Sequence, residues 1–387
     1  MTPAARVQAA IEILDEILTG APVEKALTGW ARRSRFAGSK DRAAIRDHVF
    51  DALRRKRSFA ALGGAGTGRG LMIGQLRAAG QDPASLFTGD RHAPSPVTAA
   101  EVARDFVKDA ERLDIPDWLW PEFTRSLGDQ AEPVAQALQT RAPVHLRVNL
   151  SRSDMAQAIA ILAEDGIEAQ LHPACNTALD VTGNARKIAQ SRAYTTGLVE
   201  LQDAASQAVV AALELQPGMR VLDYCAGGGG KALALAARNK DVRVFAHDAN
   251  PARMRDLPAR AERAGAEITV LPGAELADHG PFDIILTDVP CSGSGSWRRA
   301  PAGKWALTPD GLQDLTRIQA EILGTVAPLV APEGTLAYAT CSMLVVENDA
   351  IVDEFVQDHP DWTVGFRKSW RVSHGTDGFF TAHLTRN

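Results

Sequence analysis

The feature that most constrains the fold is an alternation of strand-like and helix-like segments from about Gly197 to the end of the chain. Short apolar runs that end at turn residues predict strands, and the segments between them have helical periodicity. The predicted strands are Arg220–Tyr224, Arg243–Asp248, Glu267–Leu271, Phe282–Asp288 and Thr335–Thr340, and the predicted helices are Lys231–Arg238, Pro251–Ala264, Pro309–Val330 and Val346–Gln357. This alternation predicts an α/β fold with a doubly wound parallel sheet. Residues 362–366 and 378–384 are predicted to close it as an antiparallel hairpin.

The chain before this region has different patterns. Residues 1–141 read mainly as helices, with apolar residues at helical spacing. The glycine-rich run 63–70 follows no strand, so it is interpreted as a flexible linker and not as a nucleotide-binding loop. Residues 142–196 read as a small α+β unit. We therefore expect three domains, comprising residues 1–141, 142–196 and 197–387.

The charge of the chain is unevenly distributed. The formal net charge is -5, yet Trp30–Arg57 contains ten Lys or Arg residues against three Asp residues, which leaves +7 there and -12 elsewhere. Such a stretch suits contact with nucleic-acid phosphates, although a solvated helix face is the alternative. No apolar run approaches the roughly 18 residues of a membrane span, and the N-terminus reads as an amphipathic helix and not as a signal peptide. A cytoplasmic protein is expected.

Four cysteines, Cys175, Cys225, Cys291 and Cys341, are spread along the chain. No pair has CxxC spacing and no histidine cluster accompanies them, so no structural metal is expected. In a reducing compartment they should be free thiols, and the sequence around each one therefore matters more than their number.

A glycine-rich loop joins the first strand of the alternating region to its helix. It consists of Cys225, Ala226, Gly227, Gly228, Gly229, Gly230 and Lys231. Glycines let a ligand approach the backbone closely, and the helix that follows offers free N–H groups. A phosphate-binding P-loop is excluded because Cys225 and Ala232 occupy positions that need Gly and Ser or Thr. A dinucleotide and a methyl-donor nucleoside remain possible, and Asp248, at the end of the second strand, would bind the ribose of either. Its alternative role is a cap for the next helix.

The ends of the fourth and fifth strands carry the most informative residues. Asp288 and Cys291 follow the fourth strand, and Cys341 follows the fifth. Adjacent strands lie about 4.8 Å apart, and ligands bind at the carboxyl ends of such strands. One cysteine at a strand end is usually a core residue, but packing does not readily explain two at adjacent strand ends.

Several segments together resemble the Nop/Sun (RsmB-type) family of S-adenosylmethionine-dependent RNA cytosine-C5 methyltransferases. These are Cys225–Lys231, Asp248, Asp288–Gly295 with Arg298, Arg299, Lys304 and Trp305, Tyr338–Ser342 with Glu347 and Asn348, Gln202–Ser206, Asp377–Phe380 and Arg147–Asn149. The basic N-terminus resembles the NusB-like domain of bacterial members that modify rRNA. The resemblance implies a Rossmann-like class I methyltransferase domain, preceded by an all-helical NusB-like domain and a small α+β subdomain.

The resemblance also implies roles for individual residues. Cys341 would attack cytosine C6, Cys291 would assist release, and Asp288 would hold the cytosine N3/N4 edge and contribute to the cofactor site. Lys231 would lower a thiol pKa. S-adenosylmethionine would bind residues 225–231 and Asp248. The partner would be RNA, with rRNA of the small subunit favoured over tRNA, and its cytosine unpaired or flipped out. A monomer is expected.

The sequence departs from the family pattern at three places. Gly227 and Gly228 replace Ala-Pro, Ala232 replaces Thr or Ser, and Ala274 replaces an acid that accepts from the adenine amino group. Loss of that bond is worth about 1.5–3 kcal/mol of cofactor binding, which leaves a non-catalytic RNA-binding homologue as an alternative. A DNA cytosine methyltransferase would use Cys291 as the nucleophile, and the second cysteine argues against it.

Overall fold

The computed structural model describes residues 1–387, which form two compact units. The first contains Met1–Arg141 and Trp297–Ala306, and the second contains Ala142–Ser296 and Leu307–Asn387. The three-domain division stays a prediction. None of the helices has both the length and the hydropathy needed to cross a membrane.

The first unit confirms the expected all-helical N-terminal region. Its helices are α1 (Pro3–Leu18), α2 (Val23–Arg33), α3 (Ser39–Arg54), α4 (Lys56–Gly63), α5 (Gly68–Ala78), α6 (Asp109–Arg112), α7 (Trp120–Leu127) and α8 (Ala131–Leu138). The apolar face of α1, including Val7 and Leu14, is buried against Ile45 and Val49 of α3 and Leu71 of α5. Burial of this face, rather than helix propensity alone, stabilises the bundle.

The linker predicted over residues 63–70 is confined to residues 64–67 in the structure, where it connects two helices. Helix α4 ends at Gly63, and α5 begins at Gly68. A Cβ atom at Gly63 would lie 1.8 Å from the Gly70 carbonyl oxygen, and one at Gly74 would lie 2.0 Å from that of Phe59. These glycines allow two helix backbones to approach closely, which any larger side chain would prevent.

A segment from the second half of the sequence, residues 297–306, belongs to the first unit. The Lys304 Nζ donates a hydrogen bond of 3.1 Å to the Arg54 carbonyl, and the Trp305 Nε1 donates one of 2.6 Å to the Leu53 carbonyl. The Arg54 Nε in turn donates to the Arg298 carbonyl at 2.7 Å. Lys304 and Trp305, which the sequence linked to the catalytic motifs, are therefore packing residues of the helical unit.

The second unit begins with a small antiparallel sheet. Its elements are β1 (Val144–Val148), α9 (Met155–Glu164), β2 (Glu168–Leu171), β3 (Ala178–Gly183), α10 (Arg192–Thr195) and β4 (Val199–Leu201). The strand order is β2-β3-β1-β4. Strand β4 is too short for sequence periodicity to reveal, and it was not predicted.

The remainder of the second unit is the predicted doubly wound sheet, which is confirmed. Its elements are α11 (Ala204–Ala211), β5 (Arg220–Asp223), α12 (Gly230–Arg238), β6 (Arg243–Ala246), α13 (Leu257–Ala264), β7 (Ile268–Val270), α14 (Leu276–His279), β8 (Phe282–Asp288), α16 (Pro309–Val326), β9 (Val330–Thr340), α17 (Asp349–Asp358), β10 (Trp362–Trp370) and β11 (Phe379–Arg386), while the short α15 (Pro301–Ala306) lies in the first unit. The strand order is β10-β11-β9-β8-β5-β6-β7. Strands β5 to β9 are parallel, and β10 and β11 form the expected hairpin.

The core of this unit lies on both faces of the sheet. Leu222, Ile285 and Leu336 are buried on one face, and Val221 and Ile284 on the other. This burial explains the nearly continuous apolar runs of the parallel strands. The predicted helix over 251–264 is divided into a 3₁₀ turn and α13, with Pro258 in the first turn of α13, where a proline is tolerated.

Candidate active site

A cavity of about 650 Å³ opens at the carboxyl ends of β5, β8 and β9. Every predicted catalytic residue lines it: Lys231, Asp288, Cys291 and Cys341. Of the predicted cofactor residues, Cys225, Ala226, Gly227, Gly228 and Gly230 also line it. A concave site of this size with a few convergent polar groups is typical of small-molecule binding.

The glycine-rich loop turns sharply between β5 and α12. Gly227 and Gly229 have φ values of 53° and 79°, in the left-handed region that favours glycine. A Cβ atom at Gly229 would lie 2.2 Å from the Leu257 side chain, so α13 also requires a glycine there. The loop is therefore shaped by contacts within the unit and leaves its inner surface open to the cavity.

Asp248 lies beneath this loop and does not line the cavity. One carboxylate oxygen accepts a hydrogen bond of 2.9 Å from the Gly227 N–H, and the other accepts one of 2.9 Å from the Asn250 N–H. The Arg253 guanidinium lies 3.1 Å from the same carboxylate. Asp248 thus holds the loop and the following turn together, and its contact with a ribose stays a prediction.

The two predicted catalytic cysteines are brought together. Residue 288 of β8 is paired with residue 339 of β9, so both strands end at the same level. The Cys291 Sγ lies 3.4 Å from the Cys341 Sγ. The hydrogen bond with Cys341, together with burial, raises the pKa of Cys291 well above its usual range. Burial likewise raises the pKa of Cys225, so that thiol stays protonated.

Lys231 forms an ion pair on the wall of the cavity. Its Nζ lies 2.6 Å from an Asp288 carboxylate oxygen. Burial opposes a charge on Lys231, but the carboxylate of Asp288 outweighs it and the pKa of Lys231 is raised. The hydrogen-bond partner of this ammonium is therefore an acid and not a thiol, and its effect on a thiol pKa stays a prediction.

Asp223, at the end of β5, is a site residue that the sequence reasoning missed. Its side chain lines the cavity and is 1% exposed, and no side chain donates a hydrogen bond to either carboxylate oxygen. Burial raises the pKa of Asp223 to about 7, although the nearby Lys231 ammonium and the Ala232 N–H lower it. A buried carboxylate that forms no side-chain hydrogen bond suits a cationic group of a ligand. The available signal was an acid at the end of an otherwise apolar strand.

Glu347 connects the loops that carry the two cysteines. Its carboxylate accepts hydrogen bonds from the Ser292 N–H at 2.7 Å and the Ser292 hydroxyl at 2.5 Å. It also accepts from the Ser342 hydroxyl at 2.5 Å and from the Gln319 amide at 3.1 Å. Ser292 follows Cys291 and Ser342 follows Cys341, so one fully buried carboxylate positions both thiols. The sequence included Glu347 only as part of a motif.

Two arginines accompany the unusual Gly227-Gly228 pair. A Cβ atom at Gly227 would lie 3.1 Å from the Arg253 guanidinium, and one at Gly228 would lie 3.1 Å from that of Arg260. Both arginines line the cavity, so the glycines make room for them. Ala274 is exposed and does not line the cavity, and no acid takes the place that the family pattern assigns to it.

Only some of the cationic side chains in the basic stretch Trp30–Arg57 lack an ion-pair partner. Four of its arginines form ion pairs inside the helical unit: Arg33 with Glu16, Arg46 with Glu24, Arg54 with Asp51 and Arg57 with Asp117. Arg32, Arg35 and Lys40 are exposed, and none of the three forms an ion pair. These three side chains are therefore available for phosphate contacts.

Comparison with known proteins adds independent information. Residues 210–385 match the family model described as 16S rRNA methyltransferase RsmB/F, and residues 115–186 match the ferredoxin-like domain of RsmF/B-like methyltransferases. A protein named ribosomal RNA small subunit methyltransferase B, from Salmonella arizonae, is 34% identical over 295 residues. That match covers 73% of this chain and 68% of the relative.

Solved structures support the fold. The crystal structure of PH0851 superposes with a TM-score of 0.80 at 23% identity and covers 100% of this chain and 99% of its own. A methyltransferase homologue from Pyrococcus horikoshii superposes with a TM-score of 0.63 at 24% identity and covers 72% of this chain and 97% of its own. At these identities the two structures support the architecture alone.

Proposed function

The chain belongs to the RsmB/F family of methyltransferases, and we propose that it methylates carbon 5 of a cytosine in small-subunit ribosomal RNA. S-adenosylmethionine is its methyl donor. The choice of rRNA rests on the names of the similar proteins. The observation that carries the cytosine-C5 reaction is the pair of thiols, Cys291 and Cys341, 3.4 Å apart beside Asp288.

The residues of the cavity fit the methyl donor. Asp223 offers the ammonium of its methionine part a buried carboxylate that forms no side-chain hydrogen bond. The open loop 225–230 offers backbone that a nucleoside can approach closely. When bound there, S-adenosylmethionine supplies an electrophilic methyl group. A cation held by Asp223 would also remove the energetic cost of burying that acid.

The chemistry of cytosine explains the need for a nucleophile. Carbon 5 is unreactive until a group adds to C6, so a thiolate that adds and later leaves divides one difficult step into easier ones. We assign the attack to Cys341, whose sulfur forms a bond to C6 and pushes electrons toward C5. Asp288, held by Lys231 at 2.6 Å, would bind the N3/N4 edge and stabilise the charge that develops.

Release requires the reverse. Once C5 carries the methyl group, a base removes the C5 proton, the electron pair restores the C5–C6 double bond, and the Cys341 sulfur leaves as a thiolate. We assign assistance in this step to Cys291. Its raised pKa keeps its proton at neutral pH, so its thiol can donate a hydrogen bond to the departing sulfur 3.4 Å away. The two cysteines then have different roles, although they are neighbours.

Replacement of each cysteine tests these roles. Cys341→Ala should abolish methylation and leave no covalent species, because the bond to C6 never forms. Cys291→Ala should allow attack and methyl transfer but slow release, so a methylated RNA adduct accumulates that survives denaturing electrophoresis and disappears on RNase treatment. Cys175→Ala, which is outside the cavity, is the control and should behave like the wild type.

The opposite outcomes are informative. An adduct trapped in Cys341→Ala and absent in Cys291→Ala would reverse the assignment and favour a nucleophile after proline. Methylation that persists in both variants would show that the thiols are not catalytic. Bisulfite sequencing of total RNA with and without the gene would identify the modified molecule and position, and a tRNA cytosine would overturn the choice of rRNA.

A further inference from the structure

A second cavity, of about 400 Å³, lies in the second unit and shares no lining residue with the catalytic cavity. It lies between the small antiparallel sheet and the helices α11 and α12. Three of its lining residues are cationic, namely Arg147, Arg238 and Lys240, and no lining residue is acidic. The family comparison and the mechanism proposed above give this cavity no role.

Arg147 is the most unusual of these residues. It is 3% exposed, its Nη1 donates to the Leu233 carbonyl at 3.2 Å, and its Nε has no hydrogen-bond partner. Glu200 lies opposite on β4, but its carboxylate is engaged by Arg260 and Arg263. Burial lowers the pKa of Arg147 to about 10, which still leaves it charged at neutral pH. Glu200 still acts on Arg147 through its charge, but Arg147 forms no ion pair of its own. A buried cation of this kind is destabilising, and an anion in the cavity would offset that effect.

The other two cations extend this field toward solvent. The Arg238 Nη1 donates to the carbonyl groups of Val210 and Leu213, which holds the guanidinium in place. Lys240 is exposed and makes no hydrogen bond or ion pair. Neither residue has a carboxylate partner. A guanidinium presents donors in a planar fork that matches two oxygens of a phosphate, and a lysine adds a mobile point charge.

The remaining wall suits the rest of a nucleotide. Leu150 is 45% exposed beside the cavity, and Val210, Ala211 and Ala237 contribute further apolar surface. Apolar side chains tolerate the face of any base, while hydrogen bonds to a particular base are not needed. An inorganic anion would use the cations and leave this apolar surface without a ligand group.

We propose that this cavity binds a phosphate group of a nucleotide, and that in the full reaction the nucleotide is part of the RNA substrate. The identification of this nucleotide as part of the RNA substrate rests on the proposed function. Helix α12 connects the two cavities, because Lys231 lines the catalytic one and Arg238 lines the other. At a rise of 1.5 Å per residue, the seven steps from residue 231 to residue 238 span about 10 Å. The site is thus a second point of attachment that holds RNA while a cytosine occupies the catalytic cavity.

Lys240→Gln is the cleanest test, because the side chain is exposed and no contact of the fold is lost. Lys187→Gln, at an exposed lysine that does not line the cavity, is the matched control. With full-length protein and small-subunit rRNA transcribed in vitro, the affinity is measured over a range of salt concentrations. One lost contact to a single strand should reduce the slope of log K against log salt by about 0.7. In methyl transfer, KM for RNA should rise while kcat is unchanged.

A second measurement distinguishes the source of the phosphate. Wild type and Lys240→Gln are titrated with inorganic phosphate and with adenosine monophosphate by calorimetry. A smaller salt slope in Lys240→Gln but not in Lys187→Gln supports an RNA phosphate. If the salt slope of RNA binding is unchanged but Lys240→Gln weakens the binding of adenosine monophosphate, the site binds a free nucleotide. Unchanged slopes together with no monophosphate binding by the wild type would overturn the proposal. Absence of methyl transfer by the wild type would instead refute the proposed function, and the titration would still decide this cavity.

Discussion

Replacement of Glu347 by glutamine should loosen the catalytic loops by a predictable amount. One oxygen of the new amide can still accept from the Ser292 N–H and from Gln319. The other position becomes an NH₂ group, which cannot accept the two hydroxyl bonds of 2.5 Å from Ser292 and Ser342. Bonds to a charged group are worth about 1.5–3 kcal/mol each. Reorientation of the hydroxyls toward the amide recovers part of this, so we expect a loss of about 3 kcal/mol.

That loss is measurable by differential scanning calorimetry. For a unit of this size, 1 kcal/mol shifts Tm by about 2–4 °C, so the transition of the catalytic unit should fall by about 6–12 °C. Glu333→Gln is the matched control, because Glu333 is exposed on β9 and has no partner. In the same protein preparation, kcat for methylation should fall while the cofactor Kd is unchanged. An unchanged Tm and kcat in Glu347→Gln would refute the positioning role.

Three further predictions concern the cofactor and the RNA. The pKa of Asp223 is raised to about 7 in the folded chain, so the stability of the protein should fall as the pH rises from about 4 to about 7. Asp223→Asn should therefore raise Tm at pH 8 and have little effect on Tm at pH 3. It should also abolish cofactor binding measured by calorimetry. Asp248→Ala frees the Gly227 N–H and should weaken cofactor binding measurably, and an unchanged Kd would refute its role at the site. Combined replacement of Arg32, Arg35 and Lys40 by Gln should flatten the salt dependence of RNA binding while calorimetry finds cofactor affinity intact, and an unchanged slope would mean that this face is merely solvated.

Substitution of these three cations is a better test of RNA binding by the N-terminal region than deletion of residues 1–60. The structure shows why deletion is unsuitable. Ile45, Val49 and Leu53 of α3 are buried in the core of the helical unit, and α1 packs against α3 and α5. Removal would expose apolar surface of the whole unit, so lost RNA binding would have no single cause. Substitution of exposed side chains leaves this core intact.

The sheet and the residues at its edge could be predicted from the amino-acid sequence alone. Strands and helices leave local patterns, because burial of one face imposes a period on nearby residues. From these patterns the order of strands and helices, the glycine-rich turn and the placement of Asp288, Cys291 and Cys341 at strand ends were all predictable. In a doubly wound sheet β8 and β9 are neighbours, and ligands bind at the carboxyl ends of such strands. The fold class therefore predicted that these residues meet at one site.

The contacts of the individual charged and small residues could not be predicted from the sequence and are visible only in the folded chain. Gly63, Gly68 and Gly70 lie in a run that resembles a linker in sequence, but nearby backbone atoms leave no room for a side chain at these three positions. Asp248 holds the loop through the Gly227 N–H, whereas Asp223 faces the cavity and accepts no side-chain hydrogen bond. Arg147 became informative only when β4 and α12 showed that it is buried and that the acid opposite it forms its ion pairs with other arginines. The physical reason is common to all of these cases. The energy of a buried charge, or of a close backbone approach, depends on atoms that are remote in the chain, and no local pattern records them.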